Sequence, residues 1–333
     1  MSWSERLQRA WYRADGKDGL SWALLDTSWI YGGLVRLRRA MYANGFLSSE
    51  RMPVPVIVVG NVIAGGAGKT PVVIELARLL TRAGYRVGII SRGYGRTSSK
   101  LLQVQPDTPV SQSGDEPALI RSAQNAPVFV ASDRCAAAQA LIAAYPETQV
   151  ILSDDGLQHL ALQRDIEICV FDERGVGNGR LLPAGPLREA WPRPCDFLLH
   201  RGNMPEGFSV ERKLANYALQ ADGSQIDLAQ LQGKSLIALA GIAQPESFFN
   251  MLREAGVSLS DTLALPDHYD FNSIPRTFDA GQWLICTEKD AVKLWRTPLA
   301  QRCRIVAVPL QLQLPLPFCA ALLEKLSSLL AHN

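Results

Sequence analysis

Apolar positions in this chain fall into short continuous runs separated by stretches of helical spacing. The first run covers residues 54–59, and helical spacing follows over 71–83. Further runs lie at 86–91, 126–131, 149–153, 166–172 and 196–200. Runs rich in Val and Ile, apolar at nearly every position, predict strands covered on both faces. That is the condition of a mostly parallel sheet with crossover helices. Residues 202–207 break the pattern, and a second alternation begins at Lys234. It predicts strands at 235–240, 283–287 and 304–308, and helices at 245–255 and 318–330.

The first 50 residues differ in kind. Trp3, Trp11, Trp22 and Trp29 are four of the seven tryptophans, joined by Tyr12, Tyr31, Tyr42 and Phe46. From about Leu20 to Tyr42 the spacing is helical. Ile30, Leu34, Leu37 and Met41 share one stripe, with Arg36, Arg38 and Arg39 close by. Such a helix suits a lipid headgroup interface, and equally suits docking on the protein's own core. The expected division is 1–50 as an amphipathic segment, 51–205 as a core domain and 206–333 as a C-terminal α/β lobe.

Chemistry enters after the first strand. Ile63-Ala64-Gly65-Gly66-Ala67-Gly68-Lys69-Thr70 is a glycine-rich turn between a buried strand and a helix, the setting a phosphate-binding loop requires. Its backbone N–H groups turn inward on phosphate oxygens, and the helix N-terminus adds partial positive charge. Lys69 is placed to bridge the β- and γ-phosphates of ATP, and the Thr70 hydroxyl to ligate Mg²⁺. The general pattern has glycine where this chain has Ile63. The fold class that follows is α/β with a P-loop core, a smaller C-terminal lobe and an N-terminal amphipathic helix.

Acidic residues supply the next candidates. Asp154 and Asp155 end the run at 149–153, where open α/β sheets bind ligands and a metal-holding carboxylate belongs. Asp-Asp-Gly is also an ordinary turn. Gly114-Asp115-Glu116-Pro117 offers a second pair before a helix. There Asp115 is either a base for an alcohol acceptor or simply a favourable charge at a helix start. His159 follows the acidic strand, and His268 sits between Asp267 and Tyr269, which could orient it. Arg92 and Arg188 are candidates for gripping phosphate.

Composition narrows the rest. A net charge of +2 gives no global argument for nucleic acid as a partner. Six cysteines without a C-x-x-C pair read as buried reduced thiols. The N-terminal apolar stretch is interrupted by Asp26 and reads as no signal peptide. No run reaches the roughly 20 uncharged apolar residues of a spanning helix. A guanine-reading N-K-x-D signature is absent from the sequence.

Together the motifs resemble the tetraacyldisaccharide 4′-kinase family, the lipid A 4′-kinases. The carrying segments are Gly65 to Pro71, Ser91-Arg92-Gly93-Tyr94-Gly95, Gly114-Asp115-Glu116-Pro117, Asp154-Asp155-Gly156-Leu157-Gln158-His159, Leu182 to Glu189 and Thr287 to Lys293. The family also lacks the first glycine of the loop, which accommodates Ile63. The resemblance implies transfer of the γ-phosphate of ATP to the 4′-hydroxyl of a tetraacylated glucosamine disaccharide 1-phosphate. It implies peripheral attachment to the cytoplasmic face of a Gram-negative inner membrane, with no obligate protein partner. It further implies Asp115 as base, paired with His268; Lys69 in the loop; and Thr70, Asp154 and Asp155 at the metal, with Glu116 assisting. Arg92, Arg188 and His159 are carried over as substrate contacts. An acceptor with four acyl chains stays in the bilayer, which favours the lipid reading of the N-terminal helix.

Overall fold

The computed structural model describes residues 3–13, 19–66, 68–202, 204–271 and 273–331, the side chains of 3–5 excepted. Three helices, α1 (Trp3–Trp11), α2 (Gly19–Ala23) and α3 (Leu25–Ala43), precede the first strand. The core then alternates: β1 (Val56–Gly60), α4 (Lys69–Arg82), β2 (Val87–Ser91), β3 (Leu102–Val104), α5 (Val110–Ser113), α6 (Asp115–Ala123) and β4 (Val128–Val130). It continues with α7 (Arg134–Ala144), β5 (Val150–Asp154), β6 (Ile166–Phe171), β7 (Phe197–His200) and β8 (Phe208–Ser209). These eight strands form one sheet in the order β3-β4-β2-β5-β1-β6-β7-β8, parallel except for β3 at the edge. Strands β1, β2 and β5 are buried at every residue, as their continuous apolar runs require.

A two-stranded ribbon separates this sheet from the next. Its strands are β9 (Glu211–Leu214) and β16 (Leu310–Gln313), paired antiparallel. Between them lie β10 (Tyr217–Leu219), β11 (Gln225–Asp227), a 3₁₀ turn, β12 (Leu236–Ala240), α8 (Pro245–Glu254), β13 (Leu259–Ala264), β14 (Trp283–Thr287), α9 (Glu288–Leu294), α10 (Leu299–Arg302) and β15 (Arg304–Val308). Six of these strands make the second sheet, in the order β11-β10-β15-β14-β12-β13. The chain passes outward through β9 and back through β16, so both crossings between lobes run along the ribbon.

The last helix, α11 (Leu316–Ala331), departs from the expected division at 205/206. Phe318, Leu322 and Leu326 pack into the first core with Ile57, Leu76 and Phe197. An amphipathic stripe reveals that a helix buries one face, but not which sheet receives it.

The N-terminal helices settle where the tryptophan-rich stripe points. Small and polar residues of α3 face the protein: Ser28 and Gly32 are buried, and Ser28 Oγ donates to the Leu181 carbonyl at 2.8 Å. A Cβ on Gly32 would meet Leu181 Cδ1 at 2.7 Å, so this face is closely fitted. The apolar stripe faces outward: Ile30, Leu34 and Leu37 are exposed and Met41 is half-buried, with Trp29 78% exposed beside them and Trp22 and Phe46, outside α3, exposed as well. Docking of the stripe on the protein's own core is therefore excluded.

Candidate functional site

The loop after β1 is fixed from behind. Ile63 is fully buried and bridges Leu187, while the Ala64 N–H donates to the Pro186 carbonyl at 2.7 Å. Isoleucine fills a core position there, which explains why the glycine of the general pattern is replaceable. Gly65 and Gly68 adopt φ of 92° and 72°, a region that side chains resist, and Gly68 leads into α4. Ala67 lies outside the described residues. Lys69 Nζ sits 3.4 Å from Asn61 Oδ1 and 3.4 Å from Asp155 Oδ1, so the amine is held low over the loop.

Asp154 ends β5, whose neighbours in the sheet are β1 and β2. Its Oδ2 lies 3.5 Å from Ser91 Oγ, and its Oδ1 is buried with no hydrogen-bond partner. Burial, reinforced by the charges of Glu116 and Asp155, pushes the carboxyl up to about 7. Asp155 is treated differently. Burial would raise its pKa, but Lys69 and Arg188, the latter 3.3 Å away, outweigh burial and hold it below the usual value. An orphaned carboxylate oxygen crowded by acidic neighbours is what a hard divalent cation relieves. Thr70, Asp154 and Glu116, with Asp155 beside them, fit Mg²⁺ in type and number.

The second lobe completes the cleft. Asp115 opens α6, yet its carboxylate does not cap the helix; it reaches across the cleft. His268 Nδ1 lies 2.9 Å and Lys293 Nζ 2.8 Å from the same Asp115 oxygen, Oδ2. His268 comes from the loop after β13, with φ of 62°, and Lys293 from α9. Lys293 also donates to the Tyr269 carbonyl at 2.5 Å, and the Tyr94 ring lies 5.4 Å from that of His268. Burial raises the Asp115 pKa, but hydrogen bonds from His268 and Lys293 outweigh burial, so it lies below the ordinary carboxylate value. Beneath them, Asp290 binds Thr287 Oγ1 at 2.7 Å and the Gly241 N–H at 3.0 Å, fixing the start of α9.

The phosphate loop, Glu116, Asp155 and His268 of the dyad line one cavity of about 940 Å³ between the lobes, with Asp154 and Asp115 set just behind its wall. Its lining includes the apolar side chains of Leu214, Tyr217, Leu219, Ile242, Phe248 and Met251. Arg188 lines the cavity and bonds Asp155 and Gln158. Arg92 and His159 do not line it. Arg92 is exposed, and His159 Nε2 accepts from the Arg134 N–H at 3.3 Å, at the start of α7. Burial and Arg134 depress the His159 pKa, which suits that accepting role. Helix α3 is tied to the same region: Tyr31 donates to the Arg188 carbonyl at 2.8 Å, and Arg39 pairs with Glu189 at 2.6 Å.

Sequence reasoning assigned no role to Lys293, Arg201 or Arg212, all close to this cleft. Lys293 belongs to a segment that carries the resemblance, which is a signal; Arg212 sits in a short polar strand that carries none.

Comparison with known proteins agrees with the geometry. A family model described as tetraacyldisaccharide-1-P 4′-kinase matches residues 20–327. A tetraacyldisaccharide 4′-kinase of Polaromonas naphthalenivorans is 54% identical over 98% of this chain and 96% of its own length. One from Janthinobacterium sp. is 44% identical over 91% of each. The crystal structure of LpxK from Aquifex aeolicus, described as in complex with ATP, superposes with a TM-score of 0.80 at 29% identity. It covers 92% of this chain and 99% of that one. With its phosphate loop, paired acids and cross-lobe dyad in one cleft, the chain belongs to the tetraacyldisaccharide 4′-kinase family.

Proposed function

We propose that this kinase transfers the γ-phosphate of ATP to the 4′-hydroxyl of a tetraacyldisaccharide 1-phosphate, giving the bis-phosphorylated lipid IVA, with Asp115 as the proton acceptor. The observation that carries this is Asp115 held by His268 and Lys293, with His268 lining the same cavity as the phosphate loop. The apolar lining receives the purine, and the loop with Lys69 cradles the triphosphate. Mg²⁺, held by Thr70, Asp154 and Glu116, would neutralise charge on the phosphate oxygens. The acceptor oxygen forms its bond to the γ-phosphorus as the bond to the β–γ bridging oxygen breaks. The hydroxyl proton passes to Asp115, and ADP leaves. Because His268 and Lys293 share Oδ2, Oδ1 of Asp115 is left to face the hydroxyl. Arg188, near Asp155, steadies the phosphoryl group or the acceptor.

Incubation with labelled ATP and the lipid disaccharide monophosphate in detergent micelles tests this. Label is expected in the lipid and not in soluble sugars. ATP hydrolysis with no labelled lipid would instead indicate a nucleotide-driven switch and sink the reading.

The exposed stripe of α3 supports peripheral attachment at the cytoplasmic face of the inner membrane. Among the described residues no helix is long and apolar enough to cross a membrane. The stripe shares α3 with Tyr31 and Arg39, which bind segments bordering the cavity, so lipid contact and cavity are joined through one helix. Burying a large apolar side chain contributes about 1.5–3 kcal/mol. The double variant Trp29→Asp and Leu34→Asp is therefore expected to lower cosedimentation with anionic vesicles by at least about tenfold. Both residues are solvent-exposed, so folding should be unaffected. Unchanged vesicle binding would exclude the stripe as the attachment surface.

A further inference from the structure

Arg212 stands out among the basic groups near the phosphate loop. It lies on β9, paired with Leu312 in the ribbon that carries both chain crossings. Its Nη2 donates to the Gly68 carbonyl at 3.1 Å, on the residue just before Lys69. The approach is close: a Cβ on Gly68 would sit 1.4 Å from that nitrogen. Its Nε is sealed from solvent and has no hydrogen-bond partner among the described residues.

Neighbouring arginines are neutralised, while Arg212 has no ion-pair partner among the described residues. Arg174 binds Asp172 at 2.6 Å and the Gly66 carbonyl at 2.8 Å. Arg201 binds Glu173 at 2.7 Å. Asp172 and Glu173 are the carboxylates whose charge reaches Arg212, and both are already engaged. Burial, followed by repulsion from Arg201, lowers the Arg212 pKa to about 10. A guanidinium without a counter-ion, placed at a helix N-terminus that is itself partially positive, is costly unless an anion completes the site. Arg212 and Arg201 both line the cavity beside Gly65, Gly66 and Gly68.

We infer that Arg212 is a further ligand for the nucleotide's phosphates, delivered to the loop by the strand that joins the two lobes. This rests on the reading of the cavity as the ATP site. On binding, the guanidinium exchanges the Gly68 carbonyl for β- or γ-phosphate oxygens, a stronger, charge-assisted contact. Because Arg212 belongs to the ribbon, occupancy of the loop then bears directly on how the lobes are held. A polyphosphate gains from this contact, whereas adenosine does not.

The test is equilibrium binding of ATP, ADP and adenosine to the full-length protein without lipid acceptor, for the wild type, Arg212→Gln, Arg212→Lys and Lys69→Ala. Arg212→Gln is expected to weaken ATP and ADP by about 10- to 100-fold and leave adenosine unchanged. Arg212→Lys should recover part of the loss. Equal weakening of all three ligands, or an altered melting temperature with nucleotide affinities unchanged, would overturn the inference and leave Arg212 a packing residue. Should Lys69→Ala weaken ATP while Arg212→Gln does not, this inference fails alone. Should the wild type bind no ATP, the reading of the cavity fails with it.

Discussion

Lys69→Ala is expected to reduce kcat/KM by about a thousandfold or more, a loss of about 4 kcal/mol of transition-state stabilisation. The amine is buried against Asn61 and Asp155, at 3.4 Å from each, so it cannot be replaced by a mobile surface lysine. Its loss removes the cation facing the bridging oxygens, and also one of the charges that oppose protonation of Asp154. The damage should therefore exceed that of deleting a neutral hydrogen-bond donor. Asp155 retains Arg188, so no carboxylate is stranded and the fold should persist with a near-native melting temperature. Lys69→Arg should rescue poorly, since a larger planar group does not fit a buried point-charge position. Steady-state kinetics beside thermal unfolding decide the matter. Turnover within tenfold of wild type would remove Lys69 from the catalytic machinery.

The loop was legible because its signal is local. A buried strand, positive-φ glycines and a helix start all lie within fifteen residues or so, each with its own sequence signature. The parallel strands were equally plain, since burial on both faces leaves continuous apolar runs. The ribbon was not. Glu211-Arg212-Lys213-Leu214 is polar and alternates in exposure, so no apolar run marks it, and its partner strand lies far along the chain. Return of α11 to the first core was hidden for a similar reason, because a stripe does not name its partner.

The cross-lobe dyad shows the same boundary from the other side. Local reading of Asp115 left open a helix start, which is where it sits, but its carboxylate is used elsewhere. Lys293 is 178 residues distant and His268 is 153, separations that no periodicity can connect. Only the resemblance to a family joined Asp115 to His268. It did not single out Lys293, which structure alone places on the same oxygen. The N-terminal stripe, undecided between lipid and core, is kept off the core: Ser28 and Gly32 of α3 face inward, while Trp29, Ile30, Leu34 and Leu37 face outward.

Asp115→Asn should lower kcat by about 10²- to 10⁴-fold while leaving ATP affinity near the wild-type value. The amide keeps the size of the side chain but cannot accept the hydroxyl proton. A base held below the ordinary carboxylate value is weak towards a free alcohol. In phosphoryl transfer the proton becomes acidic only as the oxygen–phosphorus bond forms, so a late acceptor suffices. The pH dependence follows from the causes of that low value. With His268 and Lys293 in place, and saturating Mg²⁺ to keep Asp154 ionised, Asp115 stays ionised through the mildly acidic range, and the acid limb of kcat/KM lies below the ordinary carboxylate pKa. Lys293→Met removes a hydrogen bond and a charge that favour the carboxylate, so the pKa rises and the acid limb moves to higher pH. Stability follows the same sign. A depressed carboxylate pKa contributes stability that is present above the unfolded value and is lost as pH falls through the folded one, so Lys293→Met should soften that loss. An acid limb unmoved in Lys293→Met, or near-normal turnover by Asp115→Asn at saturating ATP, would assign the base elsewhere.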